Sequence, residues 1–517
     1  SDLDLTTDAN LDTATVTIIT GLTDGDVLAY SLVGSGIVAS YGAGSGELSL
    51  SGSGVSQAVW QTALRAVTYS SSSEDPTGTQ SSADRVVSFV ISDGVVSSAA
   101  VTRTVTVTPV NDVPVLAAVE AGALAYTEND VATVVSATIT VSDLDLTTDA
   151  NLDTATVTIG TGLTDGDVLA YSGSDAGISA AYVAGSGELT LTGSVLASAW
   201  ETALRAVTYS SSSEDPTGTQ SSADRVVSFV ISDGVVSSAA VTRTVTVTPV
   251  NDVPVLAAVE AGALAYTEND VATVVSATIT VSDLDLTTDA NLDTATVTII
   301  TGLTDGDVLA YSLVGSGIVA SYGAGSGELS LSGSGVSQAV WQTALRAVTY
   351  SSSSEDPTGS QSAANRTVTF VISDGDASSN AVSRTVIVTP VNDVPVLSDV
   401  EPSSLAYTEN DVAATVSASI TVSDPDLYTD ADLDSATVSI TTGLHSGDVL
   451  SYTGSAAGMT AAYDEVQGVL SLSGHVSVAG WQTALRSVTF SSSSEDPTAT
   501  QTVADRIVTF VISDGDV

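Results

Sequence analysis

The sequence predicts an all-β protein of tandem Greek-key β-sandwich domains, each with one short inserted helix, in an elongated array. Three observations carry this. First, "SDLDL" begins at Ser1, Ser142 and Ser282 and its variant "SDPDL" at Ser423, steps of 141, 140 and 141 residues. Second, each period holds at least seven short stretches that are β-branched and apolar, separated by Gly, Ser and Asp. Third, only one stretch per period has helical spacing, so strands and helices do not alternate as a parallel α/β sheet would require.

The elements follow in chain order. "ATITVS", "ATVTI", "DVLAYS" and "GELSLSG" read as short strands. "VSQAVWQTALRAV" from Val55 places Val55, Val59, Trp60, Ala63, Leu64 and Val67 at spacings of three and four, an amphipathic helix. "RVVSFVIS" from Arg85 is apolar on both faces, as a central strand is, and "TRTVTVTP" from Thr102 alternates strictly, as a half-buried strand does. "TPVNDVPVL", beginning at Thr108, Thr248 and Thr389, ends each repeat. Its prolines remove amide donors and fix φ, so neither flank extends a sheet, and the segment is a short, stiff linker. The expected domains are 1–109, 110–249, 250–390 and 391–517, the first and last entered and left partway through a repeat. The opening residues have neither the basic nor the apolar region of a signal peptide.

Composition narrows function. The formal charge is −50, from 61 acidic residues against 11 Arg and no Lys. Such a chain repels nucleic acid and anionic membrane surfaces and attracts divalent cations. Only 14% of residues are charged and 43% are apolar, enough to build cores. No segment approaches the ~20 apolar residues of a membrane span, so membrane insertion is not expected. Absent Cys and Lys exclude disulfides, thiol chemistry and Schiff bases. The only histidines, His445 and His475, fall in one repeat, so no nucleophile–base pair recurs, and the chain is not expected to be an enzyme. Glu74 and Asp75 are adjacent on one loop and do not flank a bond as glycoside hydrolysis requires. Trp60, Trp200, Trp341 and Trp481 lie among Val, Ala and Leu of the helix, as core residues, and the few Arg are expected to pair with nearby acids.

From Val90 the chain runs "VISDGVVSSAAVTRTVTVTPVNDVPVL", then "YTEND", then "VSDLD". In this order of Asp-x-Gly turn, alternating strand, Asn-Asp linker, Glu and Asp-x-Asp, it resembles the cadherin fold family. "WQTALRAVTYSSSSEDPT" looks like the long cadherin-like repeats of large bacterial extracellular and surface proteins of the adhesin or surface-fibre type. The resemblance implies Ca2+ at each junction. For the first junction the ligands would be Asp93, Asn111, Asp112, Glu128, Asp143, Asp145 and Asn151. For the second they would be Asp233, Asn251, Asp252, Glu268, Asp283, Asp285 and Asn291, and for the third Asp374, Asn392, Asp393, Glu409, Asp424, Asp426 and Asp432. Carboxylates and amide carbonyls in loops are the hard oxygen donors Ca2+ takes. On this reading Asn111 and Asp112 face Asp93 behind them and Glu128, Asp143 and Asp145 ahead.

Two departures stand out. Pro109 and Val113 occupy linker places where the family has acid and amide, and its mid-domain Asp-x-Glu is missing. Glu74 and Asp75 of "SSSEDPT" could take that place. One or two ions per junction are therefore expected. The implied role is a calcium-stiffened rod or fibre segment at a bacterial cell surface, an extender or adhesin stalk. Two rival readings are a self-assembling extracellular filament, with other copies of the chain as partners, and an adhesive module that binds glycan or a surface ligand.

Overall fold

The computed structural model describes residues 11–79, 81–145, 151–174, 177–219, 221–285, 292–359, 362–426, 432–499 and 504–515. They fall into two compact units, Ser1–Val250 and Asn251–Val517, each holding two of the sequence repeats. Both units are all-β apart from one nine-residue helix per repeat, Gln57–Arg65, Ala197–Arg205, Gln338–Arg346 and Val478–Arg486.

The third repeat shows the plan. Its larger sheet has six strands in the order Leu264–Thr267, Val382–Thr389, Ala364–Ser373, Leu292–Thr301, Glu328–Val336 and Val319–Gly323. All neighbours are antiparallel except the first pair, where Leu264–Thr267 runs parallel to Val382–Thr389. A smaller sheet pairs Thr273–Val274 and Asp307–Ala310 with Thr349–Ser352, and Val255–Ala257 pairs with Thr280–Ser282. The strand Ala364–Ser373, apolar on both faces in the sequence, lies inside the larger sheet as expected.

Strand alternation builds the core between the two sheets. Val297, Ile299, Leu331, Val368, Phe370 and Val386 from the large sheet meet Leu309 and Tyr350 from the small one. Trp341 of the helix closes the layer with no exposed surface, and its Nε1 donates to the Leu292 carbonyl at 2.8 Å. The same tryptophan bond recurs in every repeat, from Trp60, Trp200 and Trp481 to Leu11, Leu152 and Leu433. The tryptophans are core residues, as the sequence implies, because a buried indole needs both apolar packing and one acceptor. Four separate apolar clusters result, one per repeat.

Several arginines are found against acids, whereas Arg346 and Arg486 donate to the backbone carbonyls of Ile279 and Ile420, and one acid pairing is far more buried than the sequence suggests. Arg366 donates from Nε to Asp307 at 2.7 Å, with both side chains at most 1% exposed. Tyr350 donates to the other oxygen of Asp307 at 2.7 Å, and Asp307 also accepts from the Thr304 amide. Arg85 with Asp26 and Arg225 with Asp167 repeat the pair in the first two repeats. A buried ion pair is tolerated only when its remaining valences are filled, and here they are.

Candidate metal centre

Antiparallel strands return the chain to the end it left, and this decides which acids meet. The strand Ala364–Ser373 carries Asp374 back to the end where the third repeat begins. There Asn251 Nδ2 donates to Asp374 Oδ2 at 3.1 Å. The same holds in the second repeat, where Asn111 donates to Asp233 at 2.8 Å, and in the fourth, where Asn392 donates to Asp514 at 2.9 Å. The Asp of each "SDG" turn therefore joins the linker that opens its own repeat.

This corrects the arrangement read from the sequence. Asp93 does not face Asn111; it is half-buried, and its carboxylate accepts from the amides of Val95 and Val96 within its own turn. Glu128 is also displaced. Its strand, Leu124–Thr127, runs parallel to Val241–Thr248, so Glu128 emerges at the exit of the repeat and accepts from the Val250 amide at 2.8 Å. An eight-residue strand at ~3.3 Å per residue separates the two ends by tens of ångströms, so Glu128 cannot serve the linker that precedes it.

The junction inside the second unit shows what does converge. Glu268 arrives from the third repeat, Asp393 lies in the linker and Asp426 comes from the fourth repeat, with carboxylate oxygens within 4.8 Å of one another. Two of the three are oriented by backbone: Val391 N donates to Glu268 Oε2 at 2.8 Å, and Asp393 N donates to Asp426 Oδ2. Asp424 Oδ1 accepts from Asp426 N at 3.2 Å, so the Asp-x-Asp pair is fixed by its own turn. Glu355, from the loop after Thr349–Ser352, stands beside Asp393.

The second oxygens are the telling ones. Glu268 Oε1, Asp424 Oδ2 and Asp426 Oδ1 are buried and no donor of the protein reaches them. Burial first, then the charges of Asp426, Asp393 and Glu355, raises Glu268 to about 7. Burial, with Asp426, Asp514 and Asp393, likewise raises Asp424 to about 6. Asp393 is shifted up by the same causes. Acids packed this way repel one another and are short of donors, a state that a cation relieves and hydrogen bonds alone do not. The donor set is all carboxylate and amide oxygen, which fits Ca2+ and excludes soft-metal sites built on thiolate.

The linker end of the first unit is built alike. Asp112 N donates to Asp145 Oδ2 at 2.5 Å and Asp145 N to Asp143 Oδ1 at 3.1 Å. Burial and the charges of Asp145, Asp233 and Asp112 push Asp143 up. At the start of the third repeat Asp252 N donates to Asp285, and Asp283 is raised to about 6, chiefly by burial.

Other expected ligands fare differently. Asn151 and Glu409 are exposed. Asn291 and the side chain of Asp432 lie outside the described residues. Two participants were not singled out in the sequence. Asp514 follows from recognising that "SDG" serves its own repeat. Glu355 was foreshadowed by the alternative of Glu74 or Asp75 for the missing mid-domain acid. Of that Glu-Asp pair, Glu355 stands beside Asp393, while its counterpart Glu214 accepts from Asn129 at 3.3 Å within the second repeat. The Asp closes the turn, with Asp356 accepting from Gly359 N at 2.8 Å.

No known family profile and no curated protein matches this sequence. Among solved structures, the chain is similar to protocadherin gamma-B7 domains EC3–6, described as a cis-dimer. The identity is 14%, the match covers 88% of this chain and 86% of that one, and the TM-score is 0.27. Mouse cadherin-23 domains EC22–24 match at 15% identity over 71% of this chain and 90% of that one, TM-score 0.24. The human desmocollin-1 ectodomain matches at 10% identity over 87% and 66%, TM-score 0.19. At such identities and scores these likenesses carry no weight for function.

Proposed function

We propose that this chain is a segment of an extracellular, bacterial surface protein whose β-sandwich repeats, 1–109, 110–249, 250–390 and 391–517, are joined by calcium-stiffened linkers into an extender or adhesin stalk. The observation that carries the reading is the set of buried, donor-less carboxylate oxygens on Glu268, Asp424 and Asp426. Glu268, Glu355, Asp393 and Asp426 would hold one ion, and Asp424, Asp514 and the Asn392 amide oxygen border the place for a second. The bound ion supplies charge neutralisation. The protein supplies the orientation, through the Val391 and Asp393 amides.

Because the acids come from two repeats and the linker between them, an ion there ties those three pieces together. Extracellular modules of this donor type bind Ca2+ at ~10⁻⁴–10⁻³ M. In millimolar Ca2+ each site then adds roughly 0.4–1.4 kcal/mol, little for a fold but enough to favour one linker geometry. No helix among the described residues is long and apolar enough to cross a membrane. The test is small-angle scattering and hydrodynamic radius with Ca2+ and with chelator. The expected result is a longer maximum dimension with Ca2+; equal dimensions in both would sink the stiffening role.

A further inference from the structure

The loop that delivers Glu355 shapes its own turn, with Ser352, Ser354 and Asp356 accepting from the amides of Ser354, Asp356 and Gly359. It follows the strand Thr349–Ser352 and is rich in serine, yet its acid must stand in a cluster of other acids that repel it. What ties the loop to the rest of the repeat is a buried anchor. Arg366 donates through Nη2 to the Pro357 carbonyl at 2.5 Å and to Thr304 Oγ1 at 2.8 Å, while its Nε holds Asp307. Thr304 Oγ1 also reaches the Pro357 carbonyl at 3.3 Å. On the other flank Ser353 N donates to the Gly306 carbonyl at 3.1 Å. Gly306 has φ +91°, and a Cβ there would come within 2.7 Å of Ser354 N, so the loop is pressed against the turn that begins at Thr304.

We propose that Arg366, locked by Asp307 and Tyr350, is a positioning residue for the junction site: it holds the 353–358 loop so that Glu355 stands at the cation, and so sets cation affinity without touching the ion. This rests on the reading of the junction as a Ca2+ site. A guanidinium is needed because one planar group must satisfy Asp307 and the Pro357 carbonyl from different nitrogens. Arg225 makes the same contacts to Asp167, Thr164 and the Pro216 carbonyl and so holds the loop of Glu214. The device therefore occurs in both units.

The experiment is a Ca2+ titration by calorimetry of the full chain and of Arg366→Lys, Glu355→Gln and the double variant. Circular dichroism in chelator monitors folding. Removing a group that orients a metal ligand lowers metal affinity by about 10- to 100-fold. Arg366→Lys should lower the affinity of one site by about that factor. In the Glu355→Gln background it should lower it no further, because its effect passes through Glu355. Additive losses would show that Arg366 acts on the fold at large and overturn the proposal. An unchanged affinity in Arg366→Lys alone, with a loss in Glu355→Gln, overturns the positioning role and leaves the Ca2+ reading standing. No change in Glu355→Gln overturns both. Should Arg366→Lys not fold, Tyr350→Phe, the ring the fourth repeat already carries at Phe490, serves in the same cycle, with a loss of a few-fold expected and no loss overturning the proposal.

Discussion

The third and fourth repeats share a fold and one compact unit, yet they differ at the centre of the buried anchor. In the third, Tyr350 packs edge-on against Tyr266 at 5.0 Å and gives its hydroxyl to Asp307. In the fourth, Phe490 packs in the same way against Tyr407 at 5.1 Å, and Asp448 Oδ1 is buried with no donor. The partner arginine is 1% exposed in the third repeat and 13% in the fourth. The ring thus belongs to packing and the hydroxyl to charge satisfaction. The two roles separate cleanly because the fourth repeat has the ring and lacks the hydroxyl. The repeats also differ at the first Glu: Glu268 is buried against the Val391 amide, whereas Glu409 is exposed.

The largest effect should come from breaking the ion pair. Removing one partner of a buried pair costs about 3–5 kcal/mol, because the other charge is left unpaired. Arg366→Ala should approach this, and Arg506→Ala should cost less, since water already reaches Arg506. Hydrogen exchange of the strands Ala364–Ser373 and Ile507–Ser513 would resolve the two repeats. Equal losses would break the comparison.

Next in size is the hydroxyl. Phe490→Tyr should give Asp448 the donor it lacks and stabilise the fourth repeat by about 1–3 kcal/mol. Tyr350→Phe should cost the third repeat a similar amount. Chemical unfolding of each variant against the parent checks both signs.

Calcium comes third. Its removal should lower stability by roughly 0.4–1.4 kcal/mol per site, and Glu268→Gln should abolish part of that difference while Glu409→Gln leaves it unchanged. Glu268 is raised from 4.5 to about 7 in the metal-free protein. A raised acid favours folding while protonated, so its contribution is present below about pH 4.5 and lost as pH rises through about 7. Chelated protein should therefore lose stability at this junction over that window, whereas Ca2+ affinity should rise over it. A Ca2+ affinity flat between pH 5 and 7, roughly the span of these shifts, would contradict the site.

The smallest effect is common to both repeats. Burial opposes ionisation of Glu260, but hydrogen bonds from Ser276 and Ala277, with Arg384 close by, outweigh it and hold the carboxyl at about 2. A lowered acid stabilises above its unfolded value of 4.5 and loses that as pH falls towards 2. Solvent screening limits this to about 1 kcal/mol. Glu260→Gln should flatten the acid limb of a pH–stability curve by that amount.

Much of the fold was legible because β periodicity and turn residues are local signals. Val297 and Ile299 alternate with threonines, Trp341 sits on an apolar helix face, and the prolines of "TPVNDVP" stop strands wherever they occur. The acids that would bind metal were legible as types and not as groups. Asp93 and Asn111 are 18 residues apart and do not meet, whereas Asn111 and Asp233 are 122 apart and do. Counting strand directions between them would have shown this. The buried anchor was hidden more deeply, since Asp307 in "TDGDVL" reads as another turn acid until Arg366 is folded onto it.

By itself the sequence determined the all-β class, the period, the helix, the core tryptophans and an acidic, oxygen-rich set of side chains, because each depends on neighbours a few residues apart or on composition. Only the tertiary structure decided which end of a repeat each acid serves and which acids lose their water. Those depend on strand direction and burial, which the chain acquires when distant strands pair and close over one another.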